Sequence, residues 1–243
     1  MKRSLTFVFI FFVLSSLPES KSLTLATTSK ISLDFTSKIL DKGKVLIVKG
    51  ELYYKFNGGV MTTRLTKPFE NITIINNFGD TKIYDPIENS VIQFNNKNNT
   101  SETSYFDHFF KKSYSDMGLS KLGYKITKTS VEDGSLITIW TPKEGSQTPL
   151  KKIELVHEKT LPIYLHFYSS NNKTLGKIYF SNYQKVADYF IPFLITEFSY
   201  SNKGDSIITR KEYSNPKLNE KVDNKYIDFV IPANAKIITE KSK

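Results

Sequence analysis

The feature that most constrains the fold is a period-two alternation of apolar and polar residues along most of the chain after residue 22. Runs rich in β-branched and aromatic residues are separated by short turn sequences such as Asn57-Gly58, Asp133-Gly134 and Asn171-Asn172. An asparagine or aspartate followed by glycine favours a tight hairpin turn, because both central residues of that turn need a positive φ. The pattern predicts successive β-hairpins and therefore an antiparallel meander.

The predicted strands separate their apolar residues from their charged residues. Successive side chains of a strand point to opposite faces, so Leu52, Tyr54 and Phe56 share one face while Glu51 and Lys55 lie on the other. One face of such a sheet must then be covered from water. We expect the same separation in two later strands, whose apolar members are Ile72, Ile74, Ile92 and Phe94.

The stretch 101–122 interrupts this strand pattern. Phe106, Phe109 and Phe110 recur at helical spacing behind Ser101 or Ser104, either of which is a suitable N-cap residue. We predict one or two short helices here. Two interpretations of their aromatic residues remain open at this point: they cover one face of the sheet, or they form a lid over a ligand cavity.

These elements together predict a mainly β (α+β) fold, in which a strongly curved antiparallel sheet is accompanied by a few short helices. The chain is 39% hydrophobic, and 18 Phe and 14 Tyr supply much of that share. If the short helices do not fill the concave side, a cavity remains, and large barrels or half-barrels bind apolar ligands in such spaces.

The N-terminal residues have the pattern of an export signal. A positive head, Met1-Lys2-Arg3, precedes the apolar run Leu5–Leu17, and small residues flank Lys21 at a cleavage site after Ser22. We expect residues 1–22 to be a signal peptide and 23–243 to be one exported, periplasmic domain. A retained N-terminal anchor is the alternative, because the small-residue site is imperfect and Thr24-Leu25-Ala26 offers a second one.

The charge pattern gives two interpretations. The chain carries 34 Lys and Arg against 24 Asp and Glu. Its basic character is compatible with anionic lipid head groups or polyanionic glycans, whereas nucleic acid is not an expected partner in the periplasm. Most lysines are scattered, however, and scattered lysines are typical of solvated charges that protect sheet edges.

No motif for catalysis or for a cofactor is present in the sequence. The chain has no cysteine, which excludes thiol catalysis, disulfides and cysteine-ligated metal sites, and its three histidines do not form an HExxH motif. Nucleophile-elbow, phosphate-loop and dinucleotide-binding glycine motifs are also absent. We therefore expect a protein that is not an enzyme and has no cofactor and no metal.

Several short motifs, in order along residues 30–237, resemble the LolA-like family of periplasmic lipoprotein carriers. The early ones are Gly50-Glu51-Leu52-Tyr53-Tyr54, Pro68, Phe78-Gly79-Asp80 and Ile83-Tyr84-Asp85-Pro86. The middle and late ones are Phe109-Phe110, Gly118-Leu119, Gly123-Tyr124, Leu161-Pro162, Tyr179–Asn182 and Asp228-Phe229-Val230-Ile231-Pro232.

The resemblance implies an unclosed antiparallel β-barrel with helices as a lid or plug, and a monomer that carries lipoprotein acyl chains in its apolar interior. It also implies two membrane partners: an inner-membrane lipoprotein-releasing ABC transporter and an outer-membrane acceptor. The residues expected to line or cover the cavity are Leu52, Tyr54, Phe56, Met61, Leu65, Ile72, Ile74, Ile92, Phe94, Phe109, Phe110 and Trp140.

The sequence departs from the family pattern in two places. Where the family has an arginine-proline step, whose arginine is thought to hold the lid closed, this chain has Phe56-Asn57, and Arg64 is the nearest arginine. The family's N-terminal helix is replaced by Ile31, Leu33 and Phe35, which alternate as in a strand. These differences keep open a second function: an envelope lipid-binding or sensor module that recognises a partner protein without transporting lipoproteins.

Overall fold

The structure, a computed structural model, describes residues 28–96, 100–101, 104–146, 148, 150–201 and 205–238. The predicted signal peptide (residues 1–22) and residues 202–204, which the sequence predicts to form a turn, lie outside these ranges. Within them, no helix combines the length and the apolar character that a bilayer span requires.

The described residues form fourteen strands and two short helices. The strands are β1 (Lys30–Asp41), β2 (Lys44–Lys55), β3 (Val60–Lys67), β4 (Asn71–Ile75), β5 (Asp80–Asp85), β6 (Ser90–Asn95), β7 (Tyr124–Glu132), β8 (Ser135–Pro142), β9 (Leu150–Glu158), β10 (Leu161–Ser169), β11 (Thr174–Val186), β12 (Tyr189–Tyr200), β13 (Ser206–Leu218) and β14 (Lys236–Ile238). The helices are α1 (Tyr105–Phe110) and α2 (Asn224–Ile227), and a 3₁₀ turn covers Asn219–Lys221.

All fourteen strands belong to one sheet, with the order β14-β6-β5-β4-β3-β2-β1-β13-β12-β11-β10-β9-β8-β7. Every neighbouring pair is antiparallel except β14, which lies parallel to β6. The two edge strands, β7 and β14, do not pair with each other, so hydrogen bonds do not close the described sheet into a barrel. The predicted antiparallel meander is confirmed, and β1 is a strand, as the alternation of Ile31, Leu33 and Phe35 indicates.

The predicted tight turn is confirmed at Asp133-Gly134 but is wrong at Asn57-Gly58, where Asn57 does not have a positive φ. Asp133 and Gly134 both have a positive φ, as a two-residue hairpin turn requires. The hairpin after β2 has a longer turn, with positive φ at Gly58 and Gly59. These turns fix the register of their strands, and so decide which side chains share a face.

Two hydrophobic clusters lie on opposite faces of the sheet. The inner cluster is built by α1 and by strands from both ends of the chain, and its members include Leu33, Leu52, Tyr54, Phe106, Phe109, Phe110, Trp140, Leu155, Leu165, Phe180, Ile195 and Tyr213. The outer cluster is built by strands β2, β4, β5 and β6 and by the C-terminal segment, and consists of Tyr53, Ile72, Tyr84, Val91, Val222, Tyr226 and Ile227.

The position of α1 shows which face is concave. Phe110 contacts Tyr54 on β2, and Phe109 contacts Phe180 on β11. Four strand steps separate β2 from β11, which is about 19 Å in a flat sheet at about 4.8 Å per step. Because one six-residue helix contacts both strands, the sheet curves around α1, and the inner cluster occupies the concave side.

Candidate functional site

Helix α1 fills the concave side with aromatic rings. Phe106, Phe109 and Phe110 are all buried, and the side chain of Phe109 has no exposed surface. Phe106 packs edge-on against Tyr213 at 4.6 Å between ring centroids, and Phe110 lies 4.9 Å from Tyr54. Both interpretations of these aromatic residues therefore start from one observation: in this conformation the rings cover the inner face of the sheet.

The backbone of this region agrees in part with the sequence-based expectation. The helix begins at Tyr105, and Ser104 occupies the N-cap position, although its hydroxyl makes no capping hydrogen bond. The hydroxyl of Ser101, the other candidate cap, donates instead to the carbonyl of Gly59 at 2.6 Å. Residues 111–123 form turns. We call α1 together with residues 111–123 the inner cover.

A buried hydrogen bond ties α1 to β2. The Tyr54 hydroxyl donates to Asp107 Oδ1 at 2.6 Å, and both side chains are almost completely buried. Asp107 Oδ2 also accepts from Lys111 Nζ at 3.1 Å. A carboxylate taken out of water is costly unless it is paired. The Tyr54–Asp107 bond is therefore a specific anchor of the inner cover.

Two histidines position the rest of the inner cover. His157 on β9 donates through Nε2 to the backbone carbonyl of Tyr114 at 3.1 Å. His108 lies against Gly118, whose φ is positive and where an added Cβ would stand 2.7 Å from the ring. Burial lowers the pKa of His108 below its ordinary value, which favours the neutral ring.

A cavity of about 630 Å³ lies between the inner cover and the sheet. Its apolar lining includes Leu165 and Phe167 from β10 and Leu119 from the inner cover, while its charged groups are Lys111, Lys121, Asp107 and Asp116. A smaller cavity of about 220 Å³ shares Tyr105 and Phe167 with it. A pocket of this size with an apolar floor and charged groups of both signs suits an amphiphile, whose chain lies on the floor and whose polar head lies at the charged groups.

Eight of the twelve residues predicted to line or cover the cavity lie in or against the inner cluster, but none of the twelve lines either of the two cavities. Leu52, Tyr54, Met61, Phe109, Phe110 and Trp140 are members of the inner cluster, and Phe56 and Leu65 pack against it. Trp140 is buried, and its indole N–H donates to Thr138 Oγ1 at 2.9 Å.

Ile72 and Ile74 lie on the convex face, contrary to the placement expected from the sequence. The register pairs Ile72 with Arg64 and Tyr84, and places Ile75 opposite Met61. The segment Asn71–Ile75 carries isoleucine on both faces, so alternation alone does not identify the inner one. Ile72 is a member of the outer cluster, and Ile74 packs against that cluster.

Ile92 and Phe94 share the concave side but lie beyond the inner cover. Ile92 lies in the same row of cross-strand partners as Leu52, and Phe94 lies in the same row as Tyr54, so both share the concave face with those residues. Neither is a member of the inner cluster, and Phe94 is 38% exposed. This part of the concave face is therefore open to solvent.

Sequence reasoning missed the contribution of the C-terminal half. Leu165, Phe167, Phe180 and Tyr213 lie on strands that were predicted, but nothing in their alternation showed that they face α1. Asp107 did carry a signal: it is an acidic residue between Phe106 and Phe109 on an otherwise aromatic helix face. Such a residue must find a partner when the face is buried.

Arg64 does not reach the inner cover. Its guanidinium binds Glu51 at 3.1 Å and Glu70 at 2.8 Å, and lies 4.7 Å from the ring of Tyr226. All these contacts are on the convex side. The place of the family's arginine is taken by Phe56, whose ring packs on Tyr54, Phe110 and Tyr189.

Several solved structures share this architecture. The chain aligns with a DUF1329 family protein from Desulfovibrio piger at a TM-score of 0.57 and 16% identity, covering 84% of this chain and 91% of that one. For a LolA superfamily protein from Nitrosomonas europaea, the TM-score is 0.54 at 13% identity, with 82% and 90% covered. This chain has a LolA-like fold.

A protein domain from Vibrio parahaemolyticus, described as an outer membrane lipoprotein-sorting domain, gives a TM-score of 0.55 at 13% identity, over 82% of this chain and 89% of that one. No family model and no curated protein matches the sequence. The LolA-like architecture that the motifs implied is thus confirmed for the fold, which has diverged far in sequence.

Proposed function

We propose that this LolA-like protein is a periplasmic carrier that binds the acyl chains of lipoproteins on its concave face and shuttles them from the inner toward the outer membrane. One observation carries the proposal: an aromatic helix occupies the concave side, and in the part of the chain that the structure describes it is held there by ring contacts and the Tyr54–Asp107 bond, not by strand pairing. We propose no catalytic role for the site.

The energetics of acyl-chain binding fit this arrangement. Each buried methylene contributes about 0.8 kcal/mol, so a chain that replaces the rings of α1 offsets the loss of their contacts. The Tyr54–Asp107 bond, a hydrogen bond to a charged group, stabilises the closed cover by about 1.5–3 kcal/mol. Because this contribution to the free energy of the closed cover is small, bound acyl chains can shift the cover from the closed to the open state.

The rest of the proposal follows from the transport role. Residues 1–22 direct export, and residues 23–243 act as one monomeric domain. An inner-membrane lipoprotein-releasing ABC transporter supplies the cargo, and an outer-membrane acceptor receives it.

The direct test is binding of a synthetic triacylated lipopeptide to the purified domain, measured by native mass spectrometry. We expect a one-to-one complex, together with faster hydrogen exchange of the α1 amides, because the acyl chains displace the helix. The same peptide without acyl chains is the ligand control. Absence of a complex with the acylated peptide would contradict the proposal.

A matched pair on β10 tests whether the chains lie on the concave face. Phe167 lines both cavities, whereas the next residue, Tyr168, faces outward and stacks on His166 at 3.9 Å. Both side chains are half-buried. We expect Phe167→Glu to weaken lipopeptide binding by about tenfold or more, because it places a charge against the chains, and Tyr168→Glu to bind as the unchanged protein does.

A second function, a lipid-binding or sensor module of the same fold, is favoured by one observation. In the part of the chain that the structure describes, Arg64 and Arg210 are both engaged with glutamates and neither contacts α1. A carrier that released its cargo by an arginine-controlled lid would need such a contact. Recovery of one fixed membrane partner from cross-linked cells, instead of a range of lipoproteins, would favour the module over the carrier.

A further inference from the structure

The hairpin formed by β1 and β2 exposes an unusual amount of apolar surface at its tip. Val45 is 63% exposed, Leu46 47% and Ile47 46%, and Leu40 on the paired strand is also exposed. Their partners in the register are Leu40 for Val45 and Ile39 for Leu46. Val45, Ile47 and Leu40 lie on one face of the hairpin, and Leu46 and Ile39 lie on the other. Exposed apolar residues concentrated on both faces of one hairpin mark an interaction site.

This tip extends beyond the neighbouring strand on the β2 side. The last residue of β3, Lys67, is paired with Lys49, so residues 44–48 of β2 are paired only with β1. Five strand residues span about 16 Å at about 3.3 Å each. The turn at the end is tight, with positive φ at Lys42 and Gly43. The apolar residues of β2 therefore lie on a free edge of the sheet, because β1 on their other side stays paired with β13 as far as Asp41.

Lysines surround the apolar residues. Lys38, Lys42, Lys44 and Lys49 are all exposed, and Asp41 is the one acidic residue in 38–49, which gives a formal charge of 4 − 1 = +3. On the adjacent strand, β13, Arg210 is paired with Lys38 and the exposed Ile207 with Asp41. Apolar residues flanked by cations are the combination that an anionic lipid surface recognises.

We propose that the tip of the β1–β2 hairpin (residues 38–49) docks on an anionic phospholipid bilayer. Val45, Leu46 and Ile47 enter the interface between head groups and acyl chains, and the four lysines bind the lipid phosphates. Each lysine near such a surface contributes about 1 kcal/mol of attraction. Salt screens the electrostatic part of the contact, so high salt weakens the binding.

A second hairpin of the same geometry shows why charge selects this tip. The β7–β8 hairpin also ends in a two-residue turn with positive φ, and it exposes Val131 and Leu136. Its tip, however, carries Glu132 and Asp133 and no lysine between residues 129 and 136. An anionic bilayer repels these carboxylates, so the β7–β8 hairpin is a built-in control.

The docking site lies at the cavity end of the sheet. Along one row of the register, Phe167 is paired with Gly176, Gly176 with Ser199, Ser199 with Ile207 and Ile207 with Asp41. Phe167, Gly176 and Ser199 also line the smaller cavity. A bilayer bound at the tip therefore meets the strand ends that border that cavity.

The test is flotation of the purified domain with vesicles. We expect binding to vesicles that contain phosphatidylglycerol, weak binding to pure phosphatidylcholine, and loss of binding at high salt. V45S/L46S/I47S should bind at least about tenfold more weakly, and K42E/K44E should lose its preference for phosphatidylglycerol. V131S/L136S should bind as the unchanged protein does. Equal binding by V45S/L46S/I47S, or no binding by the unchanged protein, would overturn the proposal.

Two further measurements complete the test. Leu46→Trp places a reporter at the tip, and its emission should shift to the blue with phosphatidylglycerol vesicles, since the existing Trp140 is buried. An unshifted emission would contradict insertion. A dimer that V45S/L46S/I47S abolishes, without vesicle binding, would show that a second copy covers the tip and would overturn the proposal. In vesicle-free solution V45S/L46S/I47S should still bind the lipopeptide, so docking and cargo binding can fail separately.

Discussion

The two halves of the sheet are covered on opposite faces. In the half built by β2–β6, residues 219–238 cover the convex face, and we call this segment the outer cover. In the half built by β8–β13, the inner cover lies on the concave face, while the convex face carries the partly exposed Tyr164, Tyr168 and Tyr179.

The two covers are also held differently. The outer cover has an ion pair between Lys55 and Asp228, ring contacts of Tyr226 with Tyr53, and backbone pairing of β14 with β6. In the described residues, the inner cover has ring contacts, the Tyr54–Asp107 bond, the bond from His157 to the Tyr114 carbonyl and a backbone bond from Lys143 to the Gly123 carbonyl, but no strand pairing. The comparison teaches that the outer cover is joined to the sheet as a strand, whereas the inner cover is held against it mainly by side chains.

The largest expected effect is at the centre of the inner cover. Phe109→Ala should lower the free energy of unfolding by about 3–5 kcal/mol, because the ring is completely buried against Phe180 and Tyr183. Urea unfolding measures it. Tyr226→Ala is the matched change in the outer cover and should cost less, since the strand pairing of β14 remains. A larger loss for Tyr226→Ala would reverse the comparison.

The next effect compares one glycine from each half. At Gly50 on β2, an added Cβ would stand 2.4 Å from the Arg64 carbonyl oxygen and 2.8 Å from Phe35. At Gly176 on β11, the nearest atom would be 3.0 Å away. We expect Gly50→Ala to lower the free energy of unfolding by about 3 kcal/mol and Gly176→Ala to lower it by about 1 kcal/mol. Thermal unfolding of the two variants measures the difference. Equal melting temperatures would show that the backbone relaxes at Gly50.

Two adjacent tyrosines test how the covers are anchored. Tyr54 donates to the buried Asp107, whereas Tyr53 donates to the half-buried Glu51 on the other face. We expect Tyr54→Phe to cost about 1.5–3 kcal/mol and Tyr53→Phe less than about 1 kcal/mol. Hydrogen exchange of the α1 amides should rise only in Tyr54→Phe. If both variants leave α1 protected, ring packing alone holds the inner cover.

The smallest effect concerns His166, which lies on the convex face of the β8–β13 half. Burial, with Lys177 and Lys152 nearby, lowers the pKa of His166 from 6.5 to about 4. Below about pH 6.5 the imidazole of His166 takes up a proton in the unfolded chain but not in the folded chain. The free energy of unfolding is therefore highest above about pH 6.5 and decreases as the pH falls toward 4. His166→Gln should flatten the stability profile across that range. An unchanged profile, measured by urea unfolding at each pH, would contradict this assignment.

The sequence predicted the strands and turns well, because alternation and turn residues act locally. It placed Tyr54 on the correct face, since Glu51 and Lys55 mark the other one. It misplaced Ile72 because Asn71–Ile75 carries no charge to distinguish its faces. The Tyr54–Asp107 bond joins residues 53 positions apart, and no local pattern encodes such a contact.

The place of β1 in the sheet has a consequence for folding. This first strand lies between β2 and β13, and Ser29 just before it is hydrogen-bonded to Asn219, 190 residues later. Each half is a meander of neighbouring hairpins, but the seam that joins the halves needs both ends of the chain. Closing so long a loop is slow compared with forming hairpins. A newly made chain therefore assembles two separate half-sheets early, and encloses its concave interior only when β13 has been made.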